Sequence, residues 1–242
     1  MPVSSLPARG ETIRLLDHGY VRLMDWMGDD LAVVQAARVS HNALWRAGDD
    51  EGSDRRLIDY LWRNRHTSPF EHVILKFEVK APIMVFRQWH RHRVWKFNEV
   101  SARYSVLPEE FYLPDPSMIG EQSTSNKQAR SLEAPGVDLE RRAAEVEELR
   151  AHCAAGFDLY RRLMDRQWPR ELARMALSVN TYSSMVATID LHNLFGFLSL
   201  RDHPHAQHEI RVYAQAMQEL ARPIAPVSMA AYEAHRQKER TK

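Results

Sequence analysis

Apolar residues recur along the chain with two periods, and the changes between them outline its elements. Glu11 to Leu16 and Tyr20 to Trp26 read as two strands around an Asp17-His18-Gly19 turn. Asp29 and Asp30 can cap a helix that carries Leu31, Val34 and Ala37 toward Val39. After an acidic loop from Gly48 to Gly52, Ser53 can cap a helix with Leu57, Ile58, Leu61 and Trp62 inside. Val73, Leu75, Phe77 and Val79 alternate with Lys76, Glu78 and Lys80, a period of two that predicts a half-buried strand. Pro82 ends that strand and can open a helix running to about His92.

The second half changes period. Tyr104 to Leu113 reads as extended and stops at Pro114-Asp115-Pro116, and Pro116 to Gly136 reads as a long loop. From Asp138 to Gln167, Leu139, Ala143, Val146, Leu149, Cys153, Phe157, Tyr160 and Met164 recur at spacings of three and four, predicting a long helix. Pro169 opens another helix with Leu172, Met175, Ala176 and Val179. Leu191, Leu194, Phe195, Phe197 and Leu198 mark a further apolar segment. Asp202-His203-Pro204 begins a last helix with Ile210, Tyr213, Met217 and Leu220 inside. Strands first and helices later predict an α+β fold, a mixed sheet with long helices in one domain spanning 1–242.

Composition narrows the class. The 242 residues are 44% hydrophobic and 27% charged, with a formal net charge of +1, so no global field holds nucleic acid or an anionic membrane. No apolar run reaches the roughly 18 residues of a membrane span. The first twenty residues have no apolar segment of the signal-peptide kind. Cys153 is the only cysteine, so no intrachain disulfide can form, and a reducing cytoplasm is the expected compartment.

Local chemistry is concentrated between Arg87 and Tyr104, R-Q-W-H-R-H-R-V-W-K-F-N-E-V-S-A-R-Y. Four arginines repel one another unless an anion sits among them, and the guanidinium fork suits phosphate. A histidine between two arginines resists protonation. Cys153 lies on the apolar stripe of its helix and reads as a buried thiol, leaving no nucleophilic cysteine. His203, His205, His208 and Glu209 suggest metal ligands, but no H-E-x-x-H is present and Arg201 and Arg211 flank them, so cap and surface roles are expected. His66-Thr67-Ser68-Pro69-Phe70-Glu71-His72 reads as a turn or as a ligand-facing loop. Arg174 and Arg201 border apolar residues, where an arginine snorkels or reaches a buried anion. Neither a G-x-G-x-x-G nor a P-loop is present.

Arg91-His92-Arg93, seven residues, then Ser101 resembles the R-H-R-x7-S signature of flavin-dependent thymidylate synthases, the ThyX family. The His66 to His72 heptapeptide, Ala81-Pro82-Ile83, Arg87-Gln88-Trp89, Asn98-Glu99, Arg103-Tyr104-Ser105 and the stretch Leu198 to Ile210 with His205-Ala206-Gln207 match the family pattern in order. The resemblance runs from about Leu15 to about Tyr213. It implies a homotetramer with active sites shared between subunits, FAD bound without a Rossmann motif, and methylation of dUMP to dTMP. The one-carbon donor would be 5,10-methylenetetrahydrofolate, and NADPH would reduce the flavin.

By position, the resemblance places Gln88, Arg91, Glu99, Ser101, Arg103, Arg174 and Arg201 at dUMP. It places Ser68, Glu71, Arg91, His92, Arg93, Glu99, Asp190 and His192 at FAD, with His66 near flavin and folate. No metal is implied. Arg201 is the expected catalytic group: a guanidinium near uracil N3 and O4 favours the ionised ring and enriches C5. Lys96, Ser68 in place of threonine, Gly196 in place of a polar residue, and a 118–136 insertion depart from the pattern. Residues 222–242 are expected as a tail. The competing reading is a nucleic-acid-binding module in which Trp89, Trp95, Phe97 and Tyr104 act as stacking platforms among the arginines.

Overall fold

The computed structural model describes residues 7–124, 130–131 and 138–240, with side chains as far as Arg236. Strands β1 (Thr12–Leu15), β2 (Gly19–Met27), β3 (Ile74–Pro82), β4 (Lys96–Glu99) and β7 (Tyr182–Asp190) form an antiparallel sheet ordered β1-β2-β3-β7-β4. Short strands β5 (Glu121–Gln122) and β6 (Arg130–Ser131) form a separate ladder inside the segment expected as a loop. Most of the rest of that segment lies outside the described residues.

The sheet has one apolar and one polar face, as its alternation predicts. Leu75, Phe77 and Val79 of β3 are fully buried with Val21 and Leu23 of β2 and with Met185, Ala187 and Ile189 of β7. On the other face Glu78 accepts from Tyr20 Oη and from Arg22 Nη1 at 2.8 Å. Helices α6 (Leu191–Arg201), α7 (His208–Ala221) and α8 (Pro226–Arg240) complete the same core with Phe195, Phe197, Tyr213, Met217, Met229 and Tyr232.

Several elements differ from their predicted bounds. Helix α2 (Glu51–Arg63) is capped by Asp50, whose carboxylate accepts from Ser53 N, so Ser53 sits inside the first turn. Helix α3 (Ile83–Trp89) ends three residues short of His92; continuing it would set Arg87 and Arg91 one turn apart as like charges. Tyr104 to Leu113 is irregular apart from one bridge between Phe111 and Thr181. The helix opened by Pro169 is brief, α5 (Arg170–Ala173), followed by a 3-10 turn to Ala176. It gives way to β7, a strand the sequence reading lacked. Helix α7 begins at His208 rather than near Pro204.

Residues 226–240, expected within a tail, are helix α8. Its start is fixed by Asp30 at the beginning of α1 (Asp30–Val39), which accepts from the Val227 and Ser228 backbone amides at 2.7 and 2.9 Å. The long helix α4 (Leu139–Asp165) is capped by Asp138 and buries Val146, Cys153, Phe157 and Tyr160 along its stripe. Cys153 has 2% exposure and receives a bond from Asn180 Nδ2 at 3.3 Å.

Candidate active site

The predicted residues fall into three groups. The first forms where α3 and α6 end. Arg201, the last residue of α6, donates from Nε to His92 Nε2 at 2.8 Å and from Nη2 to the Gln88 carbonyl at 3.3 Å. His92 is thereby held as an acceptor, which requires the neutral ring. Burial first, and the neighbouring guanidinium second, lower its pKa from 6.5 to about 4. Burial also lowers the pKa of half-buried Arg201. Beneath them Trp89 stacks on Phe197 at 4.9 Å, a core contact that fixes the end of α3 against α6.

The second group forms around the Ser101–Ser105 turn that follows β4. Val100 N bonds Ser184 O at 2.8 Å, extending the β4–β7 pairing to the edge of Ser101. Tyr104 and Ser105 amides then close the turn on the Ser101 carbonyl. Glu171 gathers the cations: its carboxylate lies 3.6 Å from Arg103 Nε, and its carbonyl accepts from Arg174 Nε at 3.2 Å. Arg170 Nη1 donates to the Tyr104 carbonyl at 2.9 Å and ties the turn to α5. Glu99, at the end of β4, faces His90 at 4.0 Å. Arg87, Arg91 and Arg93 are exposed and have no carboxylate partner among the described residues.

The third group lies at the other end of α6. Asp190 caps that helix, accepting from Asn193 N at 2.9 Å and Asn193 Nδ2 at 2.7 Å, so both its oxygens serve the fold. Next to it His192 Nδ1 is buried without a hydrogen bond, 3.5 Å from Glu71 Oε1. Glu71 and Ser68 sit on the 3-10 turn Ser68–His72. His66 is exposed after α2, with its ring edge-on to Tyr60 at 5.8 Å. A side chain built at Gly196 meets nothing within 4 Å, so local packing does not require glycine there.

The aromatic platforms of the nucleic-acid reading, Tyr104 apart, are withdrawn into or against the core. Trp89 and Trp95 are buried in the core, with exposures of 0% and 5%, and Phe97 packs against it; of the four, only Tyr104 is exposed. A buried ring cannot stack on a base, and that reading is set aside.

His203 and His205 meet edge-on at 4.8 Å, and Glu209 is buried among protein donors. Among the described residues no cluster is arranged to hold a metal. A cleft of about 1060 Å³ between α4 and residues 109–118 contains none of the predicted residues. Glu171 and His90 are site-adjacent groups that the residue reading did not single out; Gln207 entered it only within the matched Leu198 to Ile210 stretch, and Glu209 only as a possible metal ligand.

An antiparallel α+β sheet domain with an arginine-rich rim and no glycine-rich phosphate loop stands outside the Rossmann class. A model of the family described as thymidylate synthase complementing protein matches residues 22–227. Over 225 residues the chain is 48% identical to the flavin-dependent thymidylate synthase of Gluconobacter oxydans, covering 92% of this chain and 72% of that protein. It is also 48% identical to a flavin-dependent thymidylate synthase of Thermus thermophilus, covering 93% and 79%. A crystal structure of a UMP/dUMP methylase, PolB from Streptomyces cacaoi, bound with 5-Br dUMP superposes with a TM-score of 0.81 at 40% identity, over 92% of this chain and 97% of that one. The chain belongs to the flavin-dependent thymidylate synthase family.

Proposed function

We propose that this protein methylates dUMP to dTMP, taking the one-carbon unit from 5,10-methylenetetrahydrofolate. The observation that carries the reading is Arg201, a half-buried guanidinium oriented by a neutral His92 and by the Gln88 carbonyl. C5 of uracil is a weak nucleophile, and Cys153, the one cysteine of the sequence, is buried. A fixed cation at the O4 side of the ring stabilises the enolate form and raises electron density at C5. Arg91, Arg103 and Arg174 hold the phosphate, with Ser101, Glu99 and Gln88 completing the nucleotide site. The likeness to a methylase solved with 5-Br dUMP supports the substrate class.

FAD fits the third group on a physical ground. The buried, unpartnered His192 Nδ1 beside Glu71 is a polar atom that a bound group can satisfy. Ser68, Glu71 and His192, with Arg91, His92, Arg93 and Glu99, would hold it; Asp190 contributes through the helix end it caps. When bound and reduced by NADPH, the flavin supplies the hydride. The working unit is a cytoplasmic homotetramer with shared sites, and residues 1–242 form one catalytic domain.

The test is direct. Purified protein should be yellow, or become so with added FAD, with bands near about 370 and 450 nm. It should form dTMP from dUMP only with the folate donor and a reductant. A colourless protein that refuses FAD would sink the proposal.

A further inference from the structure

Helix α8 packs along the helix that ends on Arg201. Phe195 of α6 stacks on Tyr232 of α8 with ring centres 4.6 Å apart, and the Ser199 and Tyr232 hydroxyls meet at 3.2 Å. One turn further along both helices, Arg236 meets Asp202, the residue that follows Arg201 and caps α6. Arg236 Nη1 donates to Asp202 Oδ2 at 2.6 Å, and Nη2 donates to the Asp202 carbonyl. The pair is largely buried, with 10% of the arginine side chain and 17% of the aspartate side chain exposed.

Asp202 is thus held from three elements. Its amide donates to the Leu198 carbonyl at 2.9 Å, Gln215 Nε2 of α7 donates to its Oδ1 at 2.9 Å, and Arg236 takes the other oxygen and the carbonyl. A cation is favoured there, because the carbonyls at a helix C-terminus carry partial negative charge. The guanidinium fork spans carboxylate and carbonyl together, which the compact ammonium of lysine does not. Arg201 is one planar peptide away from this clamp, so a drift of Asp202 passes directly to it. Its guanidinium meanwhile has to reach His92 Nε2 at 2.8 Å.

We propose that Arg236 is a positioning residue for the methylation: by gripping Asp202 it fixes the backbone from which Arg201 reaches His92 and the uracil ring. The inference rests on the reading of Arg201 as the group that activates uracil. Arg236 lies past residues 22–227, the part that the family model matches, so the C-terminal helix adds a support for the site from outside that part.

The experiment is steady-state dTMP formation by FAD-loaded Arg236→Lys, Arg236→Gln and His235→Ala, beside wild type and Arg201→Ala, with melting temperatures recorded for each. His235 is the control, because it anchors the same helix to α2 instead, through Asp59 at 2.9 Å. In Arg236→Lys kcat should fall by about tenfold, and in Arg236→Gln by more, within the roughly 100-fold that a misplacement of about 1 Å can cost. KM for dUMP and flavin content should stay near wild type, since Arg91, Arg103, Arg174, Glu71 and His192 are untouched. His235→Ala should keep its kcat. Arg236→Lys retains a charge opposite Asp202, so it decides the matter if Arg236→Gln does not fold. A wild-type kcat in Arg236→Lys overturns the proposal, as does an equal fall in His235→Ala or a loss confined to KM. Near-normal turnover in Arg201→Ala overturns the reading of Arg201 itself and is distinguishable, since it needs no α8 variant.

Discussion

Arg201 Nε lies 2.8 Å from His92 Nε2, so a permanently charged guanidinium is steered by an imidazole that has to stay neutral. Protonating His92 would remove the acceptor and place two cations in contact. The pairing therefore ties the geometry of the catalytic candidate to pH.

The unfolded ring takes its proton near pH 6.5, and the folded ring only near about 4. Between these values the unfolded chain binds more protons, so acid favours unfolding. The contribution of His92 is complete above about pH 6.5 and is lost as pH falls toward 4. Thermal melts at pH 7 and pH 5 should show a smaller acid-induced loss for His92→Gln than for wild type. The His92 ring should not titrate by NMR above about pH 5.

Replacing Arg201 by lysine keeps a charge but loses the fork that reaches both His92 and the Gln88 carbonyl. Turnover should fall by about 100-fold or more, in the range seen when a fixed electrostatic donor is removed. Flavin affinity should fall far less than turnover, because only His92 of the flavin-holding groups loses a partner, while Glu71 and His192 stand at the opposite end of α6. Near-normal kcat in Arg201→Lys would remove the forked geometry from the mechanism.

Arg103 shares Glu171 at 3.6 Å in an exposed pair, so little stability depends on it. Arg103→Ala should leave the melting temperature within about a degree while weakening dUMP by about 1.5–3 kcal/mol, the range for a charge-assisted bond. Glu171→Gln should not weaken nucleotide binding, since it frees Arg103. Calorimetric titration with dUMP reads both.

Gly19 opens β2 where three groups converge. A Cβ there would lie 2.1 Å from Tyr213 Oη, 2.9 Å from the Leu15 carbonyl and 3.1 Å from the Lys80 carbonyl. Tyr213 Oη cannot withdraw freely, because it donates to that Lys80 carbonyl at 2.8 Å. Gly19→Ala should cost about 1–3 kcal/mol in urea unfolding. Adding Tyr213→Phe should recover part of the loss, and a fully additive double variant would contradict the steric account.

What was legible in the sequence was whatever one strong period could carry. Strand β3 alternates cleanly, and α4 repeats its stripe over 27 residues between Asp138 and Arg166. Strand β7 was not legible, although it is central: Ser183, Ser184, Ala187 and Thr188 are small, and their alternation with Met185 and Ile189 is faint in hydropathy. Strand β4 is four residues long and lies within the arginine-rich window, where charge obscures period.

At the site, the ordered family residues were legible while the connections among them were not. Arg201 and His92 are 109 positions apart, and the packing of Trp89, His92 and Trp95 on Phe197 brings them together. Glu171 is an ordinary surface residue type. Its role comes from the arginines that meet it, which composition and spacing do not encode.

Strand β3 pairs with β7 from Ile74 opposite Asp190 to Pro82 opposite Tyr182, joining segments at least a hundred residues apart. During synthesis at about 5–20 residues per second, β2 and β3 leave the ribosome several seconds before their central partner exists. The nascent amino-terminal part therefore carries an open edge and a half-covered apolar face through nearly half of translation. Shielding by a chaperone would act in that interval, and clustered rare codons between residues 83 and 181 would prolong it.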